Sequence, residues 1–308
     1  MSISVVISTR NRSGSLTRTL RSVKDVSDEV IVVDNESTDD TVAVAKRFGA
    51  RVYTKSNNLM LNVNKNYGFT KATKDWILCL DDDEEIPKDL VEEIKQVTHT
   101  SSRTPHNSDA VGFWIPRKNI IFGKWIQHGI WWPDRQLRLF RRGRGIYPEK
   151  HVHEYVEVNG STQTLDHPYV HYNYDSLSQF LEKMQVIYTE SEVQKHVSAG
   201  YRVRWTDAIR FPLSDFVKLY FAQKGYKDGL HGLVLSFLQA FYSFIIFVKL
   251  WEREKFREID IPLTSMSDEL GRAGREVTYW KHTAFATETR NPVLRLLHRL
   301  LRRISLLS

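Results

Sequence analysis

The sequence predicts an α/β fold: a mostly parallel central sheet flanked by helices, with a C-terminal helical extension. Three observations carry this. Short β-branched runs alternate with helical patterns through residues 3–97. Acidic residues directly follow two of these runs, at the edge where open parallel sheets bind ligands. From Ser176 onward apolar residues recur at helical spacing.

Taken in order, Ile3 to Ser8 is the first strand. Met1 is followed at once by Ile3, Val5, Val6 and Ile7, without the basic flank and small-residue site of a signal peptide. After the polar loop Thr9 to Ser15, Leu16 to Val23 reads as a helix. Glu29 to Val33 is a second strand ending at Asp34. Asp39 or Asp40 can cap a helix through Thr41, Val44, Ala45 and Phe48, which Gly49 stops. Arg51 to Thr54 is a third strand, Asn62 to Thr73 a helix and Trp76 to Leu80 a fourth strand. Pro87 suits the first turn of a helix reaching Val97, and Thr98 to Ser108 is a polar loop. Residues 110–175 are rich in Trp, Tyr, His and Arg, with extended runs such as Gln136 to Phe140. They read as a mixed sheet with long loops. The expected organisation is thus 1–97 and 98–175 as two halves of one domain, 176–260 helical, and 261–308 as a tail.

Leu230 to Trp251 is the most apolar stretch, with no charged residue between Gly232 and Val248. It sits near the lower limit for a membrane span, and a buried or in-plane helix fits equally. Pro292 to Leu307 interleaves leucines with Arg295, His298, Arg299, Arg302 and Arg303. That pattern suits a helix lying in a lipid interface, or one docked on protein with its arginines wet.

The chain of 308 residues is 41% apolar, enough for a sizeable core, and carries a net charge of +7. The charge favours an anionic partner. Cys79 is the single cysteine, which excludes an internal disulfide and is compatible with a reducing cytosol. Nucleic-acid binding is not expected, because no recognisable set of aromatic platforms or RNA-binding motifs is present.

The central chemical feature is Asp81-Asp82-Asp83-Glu84-Glu85 at the end of the fourth strand. Five adjacent acids repel one another, and a divalent cation would relieve them. Hard oxygen ligands suit Mg²⁺ or Mn²⁺, which can bridge a diphosphate. Glu84 and Glu85 also suit the start of the following helix. Further elements occur in order: Ser8-Thr9-Arg10-Asn11-Arg12 after the first strand, Asp34-Asn35-Glu36-Ser37-Thr38-Asp39 after the second, and Asn64-Lys65-Asn66-Tyr67-Gly68 before the acids.

With these motifs the sequence resembles the family 2 glycosyltransferases of GT-A fold (Rossmann-like), particularly the branch of lipopolysaccharide core β-1,4-glucosyltransferases. The resemblance implies an enzyme that takes a sugar from a nucleotide-sugar, most simply a UDP-sugar, with Mn²⁺ or Mg²⁺ as cofactor. It implies that Thr9 and Asn11 line the nucleotide pocket and that Asp34 accepts from the base. Lys65 would lie near the nucleotide, its alternative being a solvated helix lysine. Asp81 would face the ribose or the metal's water shell, and Asp83 would bind the metal. Asp82 holds the variable middle position of D-x-D, where an acid leaves the register open by one residue.

The likeness extends to Arg138-Leu139-Phe140-Arg141 and to His151-Val152-His153-Glu154. Glu154 is then the expected base of an inverting reaction, with Asp134 in reserve, and His153 or His151 could complete the metal site. Arg135, Arg138, Arg141, Arg142 and Arg144 would steer an anionic substrate, and Trp125, Trp131 and Trp132 could stack on sugars. The expected acceptor is a saccharide or lipid-linked glycan. The expected location is cytoplasmic, peripherally held to the inner face of the cytoplasmic membrane by the C-terminal helices. A nucleotidyltransferase is the alternative on a related sheet, but the loop after the first strand has one glycine and is poor for cradling a triphosphate. A non-catalytic, membrane-bound nucleotide-binding protein is the other alternative.

Overall fold

The computed structural model describes residues 1–57, 61–99, 109–149, 154–184 and 189–305. The chain divides into two compact units, Met1–Trp125 with Trp131–Asp175, and Ile126–Ile130 with Ser176–Ser308.

The first unit runs β1 (Ile3–Thr9), α1 (Ser13–Ser22), β2 (Glu29–Asp34), α2 (Thr41–Arg47), β3 (Arg51–Thr54), α3 (Leu61–Lys71), β4 (Trp76–Asp81), β5 (Glu84–Glu85) and α4 (Lys88–His99). It continues with β6 (Gly112–Ile115), β7 (Arg117–Ile121), β8 (Lys124–Trp125), β9 (Gln136–Arg141), β10 (Gly145–Ile146), β11 (Glu157–Val158), β12 (Thr162–Thr164) and β13 (Tyr169–Tyr174). Seven strands form the central sheet in the order β12-β6-β9-β4-β1-β2-β3. Only β9 is antiparallel to its neighbours, β4 and β6. The order β5-β13-β7-β8 makes a second sheet.

Strand alternation divides the core between the two faces of the central sheet. Ile3, Val5 and Ile7 of β1 join Leu16, Leu20, Leu90 and Ile94 from α1 and α4. Val6 faces the other way, with Ile31, Val33, Phe69 and Ala72. Gly68 makes this second layer tight: a Cβ there would lie 2.5 Å from Val6 Cγ1 and 3.0 Å from Val33 Cγ2.

One helix start differs in detail from expectation, and another selects between the two expected caps. Helix α1 begins at Ser13, inside the expected loop, because Ser15 and Thr17 hydroxyls donate to the carbonyls of Arg12 and Ser13 and the Leu16 N–H reaches Arg12. Asp40 precedes α2 without a side-chain cap, and Asp39 accepts from the Thr41 N–H at 3.0 Å instead. The loop expected at Thr98 to Ser108 starts later, since α4 reaches His99; positions 100–108 lie outside the described residues.

The second unit contains α5 (Leu177–Lys183), α6 (Thr189–Ser198), α7 (Asp207–Val217), α8 (Leu230–Arg253), α9 (Leu263–Glu288) and α10 (Pro292–Ile304). The Ser176 hydroxyl caps α5 by accepting from the Gln179 N–H. A π-helical turn, Lys218–Ala222, and a 3₁₀ turn, Gly225–Asp228, connect α7 to α8. Helix α8 is long and apolar enough to cross a membrane by length and composition. One face is nevertheless built for protein contact. Leu235, Ala240, Ile246, Phe247 and Leu250 are buried, and the Ser243 hydroxyl donates to Asp215 of α7.

Candidate active site

The register of the central sheet sets out the site. Thr9 stands opposite Asp34 across β1 and β2, and Ser8 stands opposite Asp81 across β1 and β4. Neighbouring strands lie about 4.8 Å apart, so Asp34 and Asp81 line one carboxyl edge two strand spacings, roughly 10 Å, apart. Thr9 and Asp34 are both buried at this edge. Among the described residues, the Asp34 carboxylate accepts only long bonds from the Ser37 N–H, 3.3 Å to each oxygen. Asn11 has a left-handed backbone, φ 52°, and its side-chain oxygen accepts from the Thr38 N–H at 2.7 Å. It therefore ties the loops after β1 and β2 together.

Helix α3 closes one side of the edge. The contact at Gly68 seats it on β1 and β2, which buries Asn64 and Lys65. Asn64 donates to the Asn35 side chain at 2.6 Å, and Asn35 donates to the Ser8 hydroxyl at 3.0 Å. Lys65 is no solvated lysine: its Nζ lies 2.5 Å from Asp81. Burial works against its charge, yet Asp81 outweighs burial and raises it above the ordinary lysine range.

The five acids are partly balanced by protein cations. Arg138 on β9 is buried and places Nη2 2.6 Å from Asp81 and 2.5 Å from Glu84. Burial opposes ionisation of Asp81, but Arg138 and Lys65 hold it well below the usual carboxylate range. Glu84 also accepts from the Asp81 N–H at 2.9 Å, while its burial pushes its carboxyl up. Glu85 accepts from the Tyr172 hydroxyl. Asp82 has the least compensation: burial and then the Asp83 charge push it up to about 7, with Arg12 at 3.7 Å pulling the other way.

Asp83 lies 3.7 Å from Arg12 and, through Oδ1, 3.4 Å from Nε2 of His171 on β13. Pairing of β13 with β5 sets His171 opposite Glu84, and Asp83 accepts from the Tyr172 N–H through its carbonyl. The other ring nitrogen of His171, Nδ1, lies 2.7 Å from Asn119 Oδ1. The Asn119 amide is oriented without ambiguity, because its Nδ2 donates to the Trp131 carbonyl and to Asp134. Its oxygen must therefore accept, which puts a proton on His171 Nδ1. In the neutral ring, Nε2 then presents a lone pair toward Asp83.

Glu154 accepts from Asn62 Nδ2 at 3.1 Å and from the Glu149 N–H at 2.8 Å, both at Oε2. Asn62 and Lys65 are one turn apart on α3, so a single helix face holds both Glu154 and Asp81. Asn66 extends this grip to the Tyr147 backbone, donating to its carbonyl and accepting from its N–H. His151 and His153 lie outside the described residues.

Three expectations are corrected. Asp134 is no reserve base, since Arg117, Asn119 and Gln136 donate to its two oxygens. The arginine run does not act as one steering patch. Arg138 is interior, Arg141 lies over the Trp76 ring, and Arg142 donates to the Lys74 carbonyl. The three tryptophans form no common platform: Trp131 is buried, and Trp125 meets Trp132 edge-on at 5.2 Å. Sequence reasoning missed His171 altogether. Its signal was a histidine sharing a strand face with Tyr169, where an unpaired polar ring is costly.

A family model described as glycosyl transferase family 2 matches residues 4–155. An uncharacterized glycosyltransferase of Rickettsia prowazekii (strain Madrid E) is 30% identical over 258 residues, covering 80% of this chain and 86% of that protein. This chain is a family 2 glycosyltransferase. The glycosyltransferase has the GT-A arrangement, a mostly parallel sheet with its acid run at the carboxyl edge, followed by helices. It is also 24% identical over 243 residues to the lipopolysaccharide core biosynthesis glycosyltransferase LpsC of Rhizobium meliloti (strain 1021), covering 74% of this chain and 84% of that one. Residues 1–349 of S. aureus TarS in complex with UDP align with 85% of the glycosyltransferase and 94% of that chain, at 15% identity and a TM-score of 0.44.

Proposed function

We propose that this glycosyltransferase is an inverting, metal-dependent hexosyltransferase. It would move a sugar from a UDP-sugar to a saccharide or lipid-linked glycan in cell-envelope polysaccharide synthesis, at the inner face of the cytoplasmic membrane. The observation that carries the reading is the facing pair Asp83 Oδ1 and His171 Nε2, 3.4 Å apart beside the carboxyl edge that also holds Asp34.

Among the described residues no three His, Cys, Asp or Glu side chains converge as a closed metal cage. The donor set fits a cation shared with substrate: two ligands of one ion with bonds of about 2.1 Å can stand this far apart. Asp83 and His171 would hold Mn²⁺ or Mg²⁺, with phosphate oxygens of the donor taking further positions. When bound, the metal would supply positive charge against the departing diphosphate. The role of completing the metal site, expected of His153, passes to His171 in this reading, because Asn119 orients its ring with Nε2 toward Asp83.

Asp34 would accept from uracil N3–H, since its oxygens carry only two long bonds. Thr9 and the Asn11 loop would form the wall beside it. Asp81, charge-balanced by Lys65 and Arg138, is suited to accept from a ribose hydroxyl. Asp82 keeps its backbone carbonyl on the Thr19 hydroxyl at 3.0 Å. Glu154 would take the proton of the acceptor hydroxyl as that oxygen bonds to the anomeric carbon and the bond to the diphosphate breaks. Asn62 and the Glu149 N–H fix Oε2 of Glu154. The cell-envelope setting draws on the likeness to LpsC.

The test is a screen of nucleotide-sugars for hydrolysis with added Mn²⁺, paired with calorimetry of Mn²⁺ and UDP binding. Asp83→Asn and His171→Ala should each weaken Mn²⁺ binding and leave the fold intact. Undiminished turnover in excess chelator would sink the metal assignment.

A further inference from the structure

Helix α10 is mounted with its apolar side outward. Val293, Leu296, Leu297, Leu300 and Ile304 form one stripe and are 73%, 58%, 46%, 48% and 57% exposed. The polar side faces α9. There Arg295 donates to the Thr289 carbonyl at 3.0 Å, and His298 Nδ1 lies 2.9 Å from His282 Nδ1. The His298 ring stacks on Phe285, the Arg302 guanidinium sits 5.6 Å over the Tyr279 ring, and Ser305 is buried. An amphipathic helix that serves its own protein's core turns the leucines inward. This one does the reverse, so its leucines are built for something outside the chain.

Charge identifies that partner. The helix holds Arg295, Arg299, Arg302 and Arg303 and no acid, which is four of the seven excess positive charges of the protein. At 100° per residue, Arg299 and Arg303 border the leucine stripe, and both are exposed. An apolar stripe edged by guanidinium groups matches acyl chains beneath phosphate headgroups. A second copy of the same helix fits worse, because pairing the stripes would bring arginine edges together with no carboxylate between them. A second outward stripe in the same unit repeats the theme. Leu230, Phe237, Phe241 and Phe244 of α8 recur at spacings of a helix face, and all are exposed.

We propose that α10 is the surface by which the protein lies on an anionic lipid leaflet. Val293, Leu296, Leu297, Leu300 and Ile304 enter the acyl boundary, Arg299 and Arg303 meet headgroup phosphates, and α9 holds the helix by its basic inner side. The inference deepens the membrane part of the reading above, and it stands or falls apart from the donor chemistry.

The experiment is flotation of the full chain with vesicles of phosphatidylcholine alone and of phosphatidylcholine mixed with phosphatidylglycerol. Sedimentation velocity and vesicle-free donor hydrolysis are run on the same samples. The wild-type chain should float with the anionic vesicles only. The double variant Leu297→Glu and Leu300→Glu should lose about tenfold or more of that binding. Arg299→Glu with Arg303→Glu should abolish the preference for anionic lipid. Both variants alter exposed positions, and thermal unfolding should match wild type. Equal flotation with both vesicle types, or binding indifferent to the leucine variant, overturns the proposal. So does a wild-type dimer that the leucine variant converts to monomer, because the stripe would then belong to a second copy. Loss of hydrolysis with lipid binding intact would count against the donor reading alone.

Discussion

Replacing Arg138 with methionine removes one buried cation from between two carboxylates. Asp81 keeps Lys65 at 2.5 Å, so the burden falls on Glu84, which is fully buried and left with only the Asp81 N–H. Breaking such a pair from one side costs about 3–5 kcal/mol. Glu84 can limit the loss by taking up a proton. For a carboxyl with an ordinary value near 4.3, neutralisation at pH 7 costs about 3.7 kcal/mol, and about 1.4 kcal/mol less for each unit of acidification. The sign follows from linkage. Burial already raises the folded value of Glu84 above its unfolded one, and losing Arg138 raises it further, so the added deficit is absent below the unfolded value and grows as pH rises. At roughly 2–4 °C per kcal/mol, melting should fall by about 7–15 °C at pH 7 and by about 2–4 °C at pH 5. Differential scanning fluorimetry across that range measures both. Adding Glu84→Gln should remove the pH dependence. A deficit that is the same at pH 5 and pH 7, or under about 3 °C at pH 7, refutes the argument that Arg138 neutralises Glu84.

Glu154→Gln should lower turnover by about 10²–10⁴-fold with UDP affinity unchanged, as read by steady-state kinetics beside calorimetry; a loss confined to KM would remove Glu154 from the proton transfer. Gly68→Ala should destabilise the first unit by about 1–3 kcal/mol through contact with Val6, and Val6→Ala should recover part of it, which thermal melts of the single and double variants test. Glu269 of α9 is held at about 2, chiefly by hydrogen bonds from Arg210 with Arg272 assisting. Its lowered folded value gives stability that is present above about 4.3 and lost as pH falls toward 2. With both arginines partly exposed, about 1–2 kcal/mol is expected. Melting curves of wild type and Glu269→Gln should therefore converge on acidification through this window.

The strands and helices up to α4 were readable because each carries a local pattern: β1, β2 and β4 as short, mainly apolar runs, α4 as an amphipathic repeat. The acid run and Asp34 were readable for the same local reason. What balances the acids was not, because Arg138 and His171 come from strands far along the chain. Pairing of β9 with β4 and of β13 with β5 brings them in, and no local pattern announces a pairing. Lys65 read from sequence either as a group near the nucleotide or as a solvated helix lysine, and the packing of α3 at Gly68 removes the second reading. The period of α10 was plain in sequence, but period defines two faces without saying which one turns outward.

Helix α3 has a consequence for how this enzyme can change. Asn62 holds Glu154, Lys65 holds Asp81 and Asn66 holds Tyr147, so the proposed donor wall and the proposed acceptor base hang from one rail. If Glu154 is the base proposed above, moving that rail to admit a larger donor would carry it out of line with the acceptor hydroxyl. New donor specificity should therefore arise in the loops after β1 and β2, which can be rebuilt while the rail stays in place.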